Sequence, residues 1–259
     1  MSDVTIERTG RIAVVRFDRG NRANPLSLKV MRDLTEAARS FETDTEASAI
    51  ILTGGENFSM GFDLRDEEAI AMRTAPLAER RISVATGRRM CQAWADLQPL
   101  TISAINGWCV GGGAALAVST DLRVMANGAH FYVPEIERGM NMSWGSVPRI
   151  ANLVGPAKAK RIVALAEKLD ALRALDWGVA DEVVADPMAK AMEMAERAAS
   201  MPPVALRMCK SQVDAYANAL AHTASHMDFD QFALSQTGGD FEEAVSAFFE
   251  KRDPNFTGA

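Results

Sequence analysis

Three consecutive glycines, Gly111, Gly112 and Gly113, constrain this chain more than any other feature. They stand between two apolar segments, PLTISAI (99–105) and AALAV (114–118), within the stretch NGWCVGGGAALAVSTD (106–121). Glycine accepts backbone conformations and close approaches that a side chain forbids. The order strand, turn, glycines, helix leaves free N–H groups in the first helical turn, where the helix dipole favours negative charge. Two nucleotide-binding motifs fail on the same residues. The dinucleotide fingerprint needs a glycine where Leu116 stands. A Walker A loop needs Gly-Lys-Ser/Thr, but Gly113 is followed by Ala114, Ala115 and Leu116. A backbone donor site and close helix–strand packing both remain open.

The rest of the chain sets these glycines in an α/β frame. Residues 4–7 and 11–17 predict a strand pair turning at Gly10. Ser27 predicts the cap of a helix with Leu28, Met31, Leu34 and Ala38 on one face. Short buried strands are expected at 49–53, 99–105, 122–126 and 130–133, and one helical run from about 67 to 97. Strands alternating with helices imply largely parallel pairing. From about Pro156 the pattern is helical, with a strand only at 181–184. Its Ala, Met and Leu stripes suit core or subunit contacts.

Bulk properties remove several function classes. A length of 259 residues, 48% hydrophobic and 24% charged, suits one soluble domain with an extension. The formal net charge of −6 argues against general nucleic-acid binding. Charge is uneven: between Arg11 and Arg32 six basic residues face one acid, Asp18, a local +5 suited to a small anion. Cys91, Cys109 and Cys209 are widely spaced and read as reduced thiols. His222 and His226 lack a third ligand nearby, so no metal is expected. No apolar run approaches a membrane span, and MSDVTIERTG has no signal core. A cytoplasmic protein is expected.

A second loop, NFSMGFDL (57–64), also follows a buried strand, contains glycine and precedes a helix. Two such loops can each offer one N–H to the same oxygen. Together with NRANPLS (21–27), PLTISAINGWCVGGGAALAVSTDLRV (99–124), AHFYVPEIERGM (129–140), the block from 147 to 184 and FEEAVSAFFEKRDPNF (241–256), this loop makes the chain resemble the crotonase superfamily, the enoyl-CoA hydratase/isomerase family. The likeness runs from about residue 11 to residue 256.

The resemblance implies an α/β fold, a crotonase-like ββα spiral core with a C-terminal helical layer. It implies a core over 1–198 carrying an acyl-CoA site, and an extension over 199–259 for oligomerisation and pocket closure. The substrate would be a coenzyme A thioester, with no separate cofactor, and the assembly a homotrimer or dimer of trimers. Phe62 and Gly112 would donate backbone N–H groups to the thioester oxygen. Asn24, Met60, Asp63, Leu64 and Gly111 would lie along the CoA loops, with Arg22 near phosphate and Lys251 reaching in from the tail. Ser143 and Trp144 would line the acyl end. Glu135 would be the acid/base, its pKa raised by an apolar setting.

The sequence also departs from the family. Hydratases carry a second glutamate at the position of Ala115, one helical turn after Gly112. Glu137 would share a face with Glu135, and stand in as a second acid, only if that segment is extended; an exposed Glu137 is the stronger expectation. Ser143 occupies the place of the nucleophilic aspartate of the family's aryl-CoA dehalogenases, which argues against dehalogenation. Two outcomes stay open: a hydratase or isomerase working through one glutamate, and an acyl-CoA-binding member with little hydratase activity.

Overall fold

The computed structural model describes residues 3–259, so Met1 and Ser2, at the start of the expected core, lie outside the described residues. The chain opens with β1 (Val4–Thr9) and β2 (Ile12–Phe17), an antiparallel pair turned at Gly10. Helix α1 (Leu28–Arg39) follows, its first turn capped by the Ser27 hydroxyl accepting from Val30 N at 3.2 Å. Strand β3 (Ala49–Thr53) is buried throughout, as expected of a strand covered on both faces.

The expected single helix over 67–97 is instead two, α2 (Glu67–Met72) and α3 (Leu77–Ala95). Pro76 is the reason. It has no N–H to continue the ladder, and it pushes Ala75 away from helical geometry. Next come β4 (Leu100–Ile105), β5 (Trp108–Val110), α4 (Gly112–Ala117), β6 (Leu122–Ala126) and β7 (His130–Tyr132). A 3-10 turn over Glu135–Arg138 leads to α5 (Ser146–Ala164), kinked at Gly155. A two-residue strand, β8 (Leu169–Asp170), was not anticipated. It is followed by α6 (Ala171–Trp177), β9 (Glu182–Val184) and α7 (Pro187–Ala199). The last four helices are α8 (Pro203–Ala217), α9 (Ala221–Ser225), α10 (Asp228–Ser235) and α11 (Gly239–Glu250).

Six strands form one sheet in the order β1-β2-β3-β4-β6-β9, parallel beyond the first hairpin; β5, β7 and β8 form a second. The chain crosses between sheets at Asn106-Gly107, between β4 and β5. The main core lies between the large sheet, α1 and α3, around Phe17, Leu34, Ile50 and Trp94. Helix α7 covers the other face of β3 and β4 with Ala191, Ala195 and Ala198. The helices after it pack on α3, α5 and the 3-10 turn. Among the described residues no helix is long and apolar enough to cross a membrane.

Candidate active site

Two loops run side by side in front of the second sheet. Ser59 N donates to Trp108 O (3.0 Å) and Val110 N donates to Ser59 O (2.9 Å), which joins the 57–64 loop to β5. On its other side the same loop meets Leu26, whose N–H donates to Gly61 O and whose carbonyl accepts from Asp63 N. Those two bonds leave the N–H of the intervening Phe62 aimed away from Leu26, with no acceptor among the described residues. Gly112 N, at the first position of α4, also has no acceptor. The two loops are close enough that a Cβ on Gly61 would stand 3.5 Å from Gly112 N.

Each member of the glycine triplet has its own reason to lack a side chain. Gly111 has φ of 52°, and a Cβ there would lie 2.6 Å from Glu135 Oε1. A Cβ on Gly112 would enter the Trp144 ring, 2.5 Å from Cζ3, and one on Gly113 would meet Ser59 Cβ at 2.8 Å. Close packing thus accounts for Gly113, while Gly112 keeps an N–H without an acceptor among the described residues, next to the glycine that Glu135 overlies.

Glu135 reaches this place because β7 is pinned to the glycine loop by Gly111 N donating to Tyr132 O at 2.8 Å. Pro134 then begins the 3-10 turn, which folds the Glu135 side chain back over Gly111. Its Oε2 is buried with no hydrogen-bond partner. Burial pushes the carboxyl from the usual 4.5 up to about 7, against the opposing pull of its own backbone N–H and the Arg138 charge. The 3-10 turn rules out the extended segment that would have set Glu137 beside Glu135, and Glu137 is exposed, the stronger of the two expectations. Two residues apart on a tight helix, the side chains diverge, and the exposed Glu137 carboxylate accepts the Tyr132 hydroxyl instead.

Glu135, Phe62, Gly112 and Ala115 line a cleft together with Leu64, Ser143 and Trp144. Ala115 is fully buried and brings no polar atom. Trp144 holds φ of 61° and wedges its ring between Gly112 and Gly87 of α3. Its loop is held from the C-terminal layer: the buried Asp228 carboxylate, at the start of α10, accepts Gly145 N at 2.5 Å.

The other residues expected at the site lie at its edge or behind it. The Asn24 side chain is fully buried and donates to Phe17 O (3.0 Å) and Phe58 O (2.9 Å) while accepting Arg19 N, so it ties loops together and has no face for a ligand. Asp63 is held by Arg19 at 2.5 Å. Arg22 is exposed and pairs with Glu56 at 2.8 Å. Met60 is exposed beside the loop. Lys251 is exposed at the end of α11, away from the cleft lining. Arg73, Arg80, Ser83, Phe232, Gln236 and Phe241 line the cleft and were missed. Only the α3 members carried a signal, since 80, 83, 84 and 87 fall on one helical face. Among the described residues no cluster of three or more His, Cys, Asp or Glu side chains could hold a metal ion.

Comparison with known proteins agrees with this architecture. Residues 7–259 match the family model for enoyl-CoA hydratase/isomerase. A short-chain-enoyl-CoA hydratase of Clostridium acetobutylicum is 29% identical, over 97% of this chain and 96% of the relative. A 1,2-epoxyphenylacetyl-CoA isomerase of Escherichia coli is 28% identical over 95% of each. The crystal structure of an enoyl-CoA hydratase from Mycobacterium avium subsp. paratuberculosis superposes with a TM-score of 0.87 over 99% of both chains at 24% identity, a likeness of fold. The chain belongs to the enoyl-CoA hydratase/isomerase family, and its fold is the crotonase fold.

Proposed function

We propose that this chain transfers a proton within an enoyl-CoA thioester, with Glu135 as its single acid/base, and that double-bond isomerisation is the reaction its residues serve best. The observation that carries the proposal is the buried, unpartnered Oε2 of Glu135 beside Gly111, with Ala115 rather than an acid one helical turn after Gly112. The thioester oxygen accepts the free N–H groups of Phe62 and Gly112. Glu135 takes a proton from the α carbon of a 3-enoyl thioester, and the electron pair moves into a dienolate whose oxygen the two donors stabilise. Loss of one such donor costs on the order of 2.7–4 kcal/mol. The same carboxyl then returns the proton at the γ carbon, giving the 2-enoyl thioester and restoring Glu135. With its pKa at about 7, Glu135 is a base at neutral pH, and its conjugate acid is also available.

The CoA portion lies along the two loops, past Met60 and Leu64, with Arg22 and Lys251 as the nearby cations. Asn24 and Asp63 support those loops from behind. Assembly into trimers is consistent with α8, which exposes Val204, Met208, Val213 and Tyr216. Ala115 also favours a second reading, in which the chain binds acyl-CoA without efficient turnover.

A panel of 2-enoyl- and 3-enoyl-CoA thioesters separates these readings. The expected result is conversion of 3-enoyl to 2-enoyl thioester, with kcat/KM rising with pH through about 7 as Glu135 ionises. Glu135→Gln should lose about 100-fold or more, while Glu137→Gln keeps full rate. Turnover that survives Glu135→Gln removes this residue from its role. Tight binding with no turnover of any thioester establishes the second reading.

A further inference from the structure

We infer that the cleft binds an anionic group on the acyl chain, so that its substrates are enoyl-CoA thioesters ending in a carboxylate. The inference rests on the acyl-CoA reading above and deepens it. Helix α3 presents Arg80, Ser83, Val84 and Gly87 to the cleft, spaced i, i+3, i+4 and i+7. Gly87 marks the reacting end, because the Trp144 ring lies against both Gly87 and Gly112. Arg80 stands seven residues earlier, about 10 Å along the helix. The Arg80 backbone is thus set back from the Trp144 end of the cleft by roughly the length of a short acyl chain.

Arg80 is half-buried, yet its guanidinium makes no ion pair or hydrogen bond among the described residues. Its neighbour Arg81, by contrast, holds Asp230 through two bonds of 2.9 and 3.3 Å. Arg73 lines the same cleft but is exposed to solvent, its guanidinium 5.8 Å from the centroid of the Phe241 ring. The guanidinium cannot shed its charge, and taking it out of water without a partner is costly. The cleft is otherwise walled by side chains such as Leu28, Met31, Met72 and Phe232. Two further donors there are idle. The Ser83 hydroxyl has no partner, and the Gln236 amide reaches only Met140 Sδ, at 3.9 Å. A methyl-ended chain would displace water from Arg80 and Ser83 and offer them no acceptor in return. A terminal carboxylate supplies the charge and accepts the two parallel N–H bonds of a guanidinium.

Anionic oxygens could also come from the phosphates of coenzyme A, and the test separates the two sources. Matched enoyl thioesters of equal length, one methyl-ended and one carboxylate-ended, are assayed as CoA and as pantetheine thioesters. The proteins are wild type, Arg80→Gln, Arg80→Lys and Arg73→Gln. The expected result is a wild-type kcat/KM about 10- to 100-fold higher for the carboxylate-ended chain, on CoA and pantetheine alike. That preference should collapse toward one in Arg80→Gln and survive in part in Arg80→Lys. A wild-type preference of one or less, with the methyl-ended thioester turned over, overturns the inference and leaves the acyl-CoA reading standing. A loss in Arg80→Gln that is equal for both chain ends and absent from pantetheine thioesters assigns the arginine to CoA phosphate, and also overturns it. Neither binding nor turnover of any thioester overturns both.

Discussion

Replacing Glu135 by glutamine should make the protein more stable and less active, and the gain should depend on pH in a defined way. The folded carboxyl titrates at about 7 instead of the usual 4.5, because burial disfavours its charged form. At about 1.4 kcal/mol per pH unit, holding Glu135 ionised in the fold costs about 3 kcal/mol. The folded state binds this proton more tightly than the unfolded chain does. Below about pH 4.5 both states carry it, and the group contributes no pH dependence. Between about 4.5 and 7 the wild type loses stability as pH rises; above 7 the full cost applies. Glutamine cannot ionise and escapes that loss. Urea unfolding of both proteins at one protomer concentration, from about pH 5 to about pH 8, reads the difference directly. Other shifted groups, such as the lowered Asp44 and the raised Asp228, are common to both proteins and cancel. The variant should draw level near pH 5 and lead by about 3 kcal/mol at pH 8. A difference that stays flat across this range would mean that the carboxylate is not desolvated in the fold, and the proton-transfer argument would lose its base.

Two further substitutions probe the same machinery from the backbone side. Gly111→Ala puts a methyl group 2.6 Å from Glu135 Oε1 at a position with φ of 52°; it should cost about 1–2 kcal/mol of stability and at least 100-fold in kcat, and a wild-type kcat would show that the carboxyl does not act from where it lies. Ala115→Glu restores the second acid of the family's hydratases in a fully buried place; it should lower urea stability by about 1–3 kcal/mol and raise the yield of hydrated product from a 2-enoyl-CoA, and unchanged hydration would place the shortfall elsewhere than at Ala115.

The parts of this molecule that are local in sequence were the parts its sequence revealed. Strands β2, β3 and β4 are short apolar runs bounded by turn residues, and α1 starts at its own capping serine. The helix expected over 67–97 failed at a local signal that was present, Pro76, because helical periodicity on both sides outweighed it. Glu137 left two outcomes open for a different reason. Whether 135 and 137 share a face depends on the backbone of the segment, and that backbone is set by Pro134 and by the left-handed Gly139 that ends the turn. Strand β8 has two residues and exists only because β7 pairs with it, so no window of sequence contains its cause.

The same division runs through the site and explains why reaction class was easier to read than substrate. The two free donors are backbone groups, fixed by glycines and by loop pairing within two short segments, and the carboxyl lies three residues beyond a strand pinned to one of them. Chemistry of that kind leaves a compact trace: Gly61-Phe62, Gly111-Gly112, Pro134-Glu135. The cleft is assembled differently. Its walls come from α3, from the loop bearing Trp144, and from α10 and α11 nearly a hundred residues later, and Asp228 of the last layer holds the Trp144 loop in place. No spacing rule links Arg80 to Gln236 or Phe241. Wall residues such as Arg80, Gln236 and Phe241 can change without moving the donors or Glu135, so a chain can keep the reaction of its family while its cleft is refitted for another acyl group. Arg80, half-buried on the cleft side of α3 with no partner for its guanidinium among the described residues, is where we propose that such refitting took place.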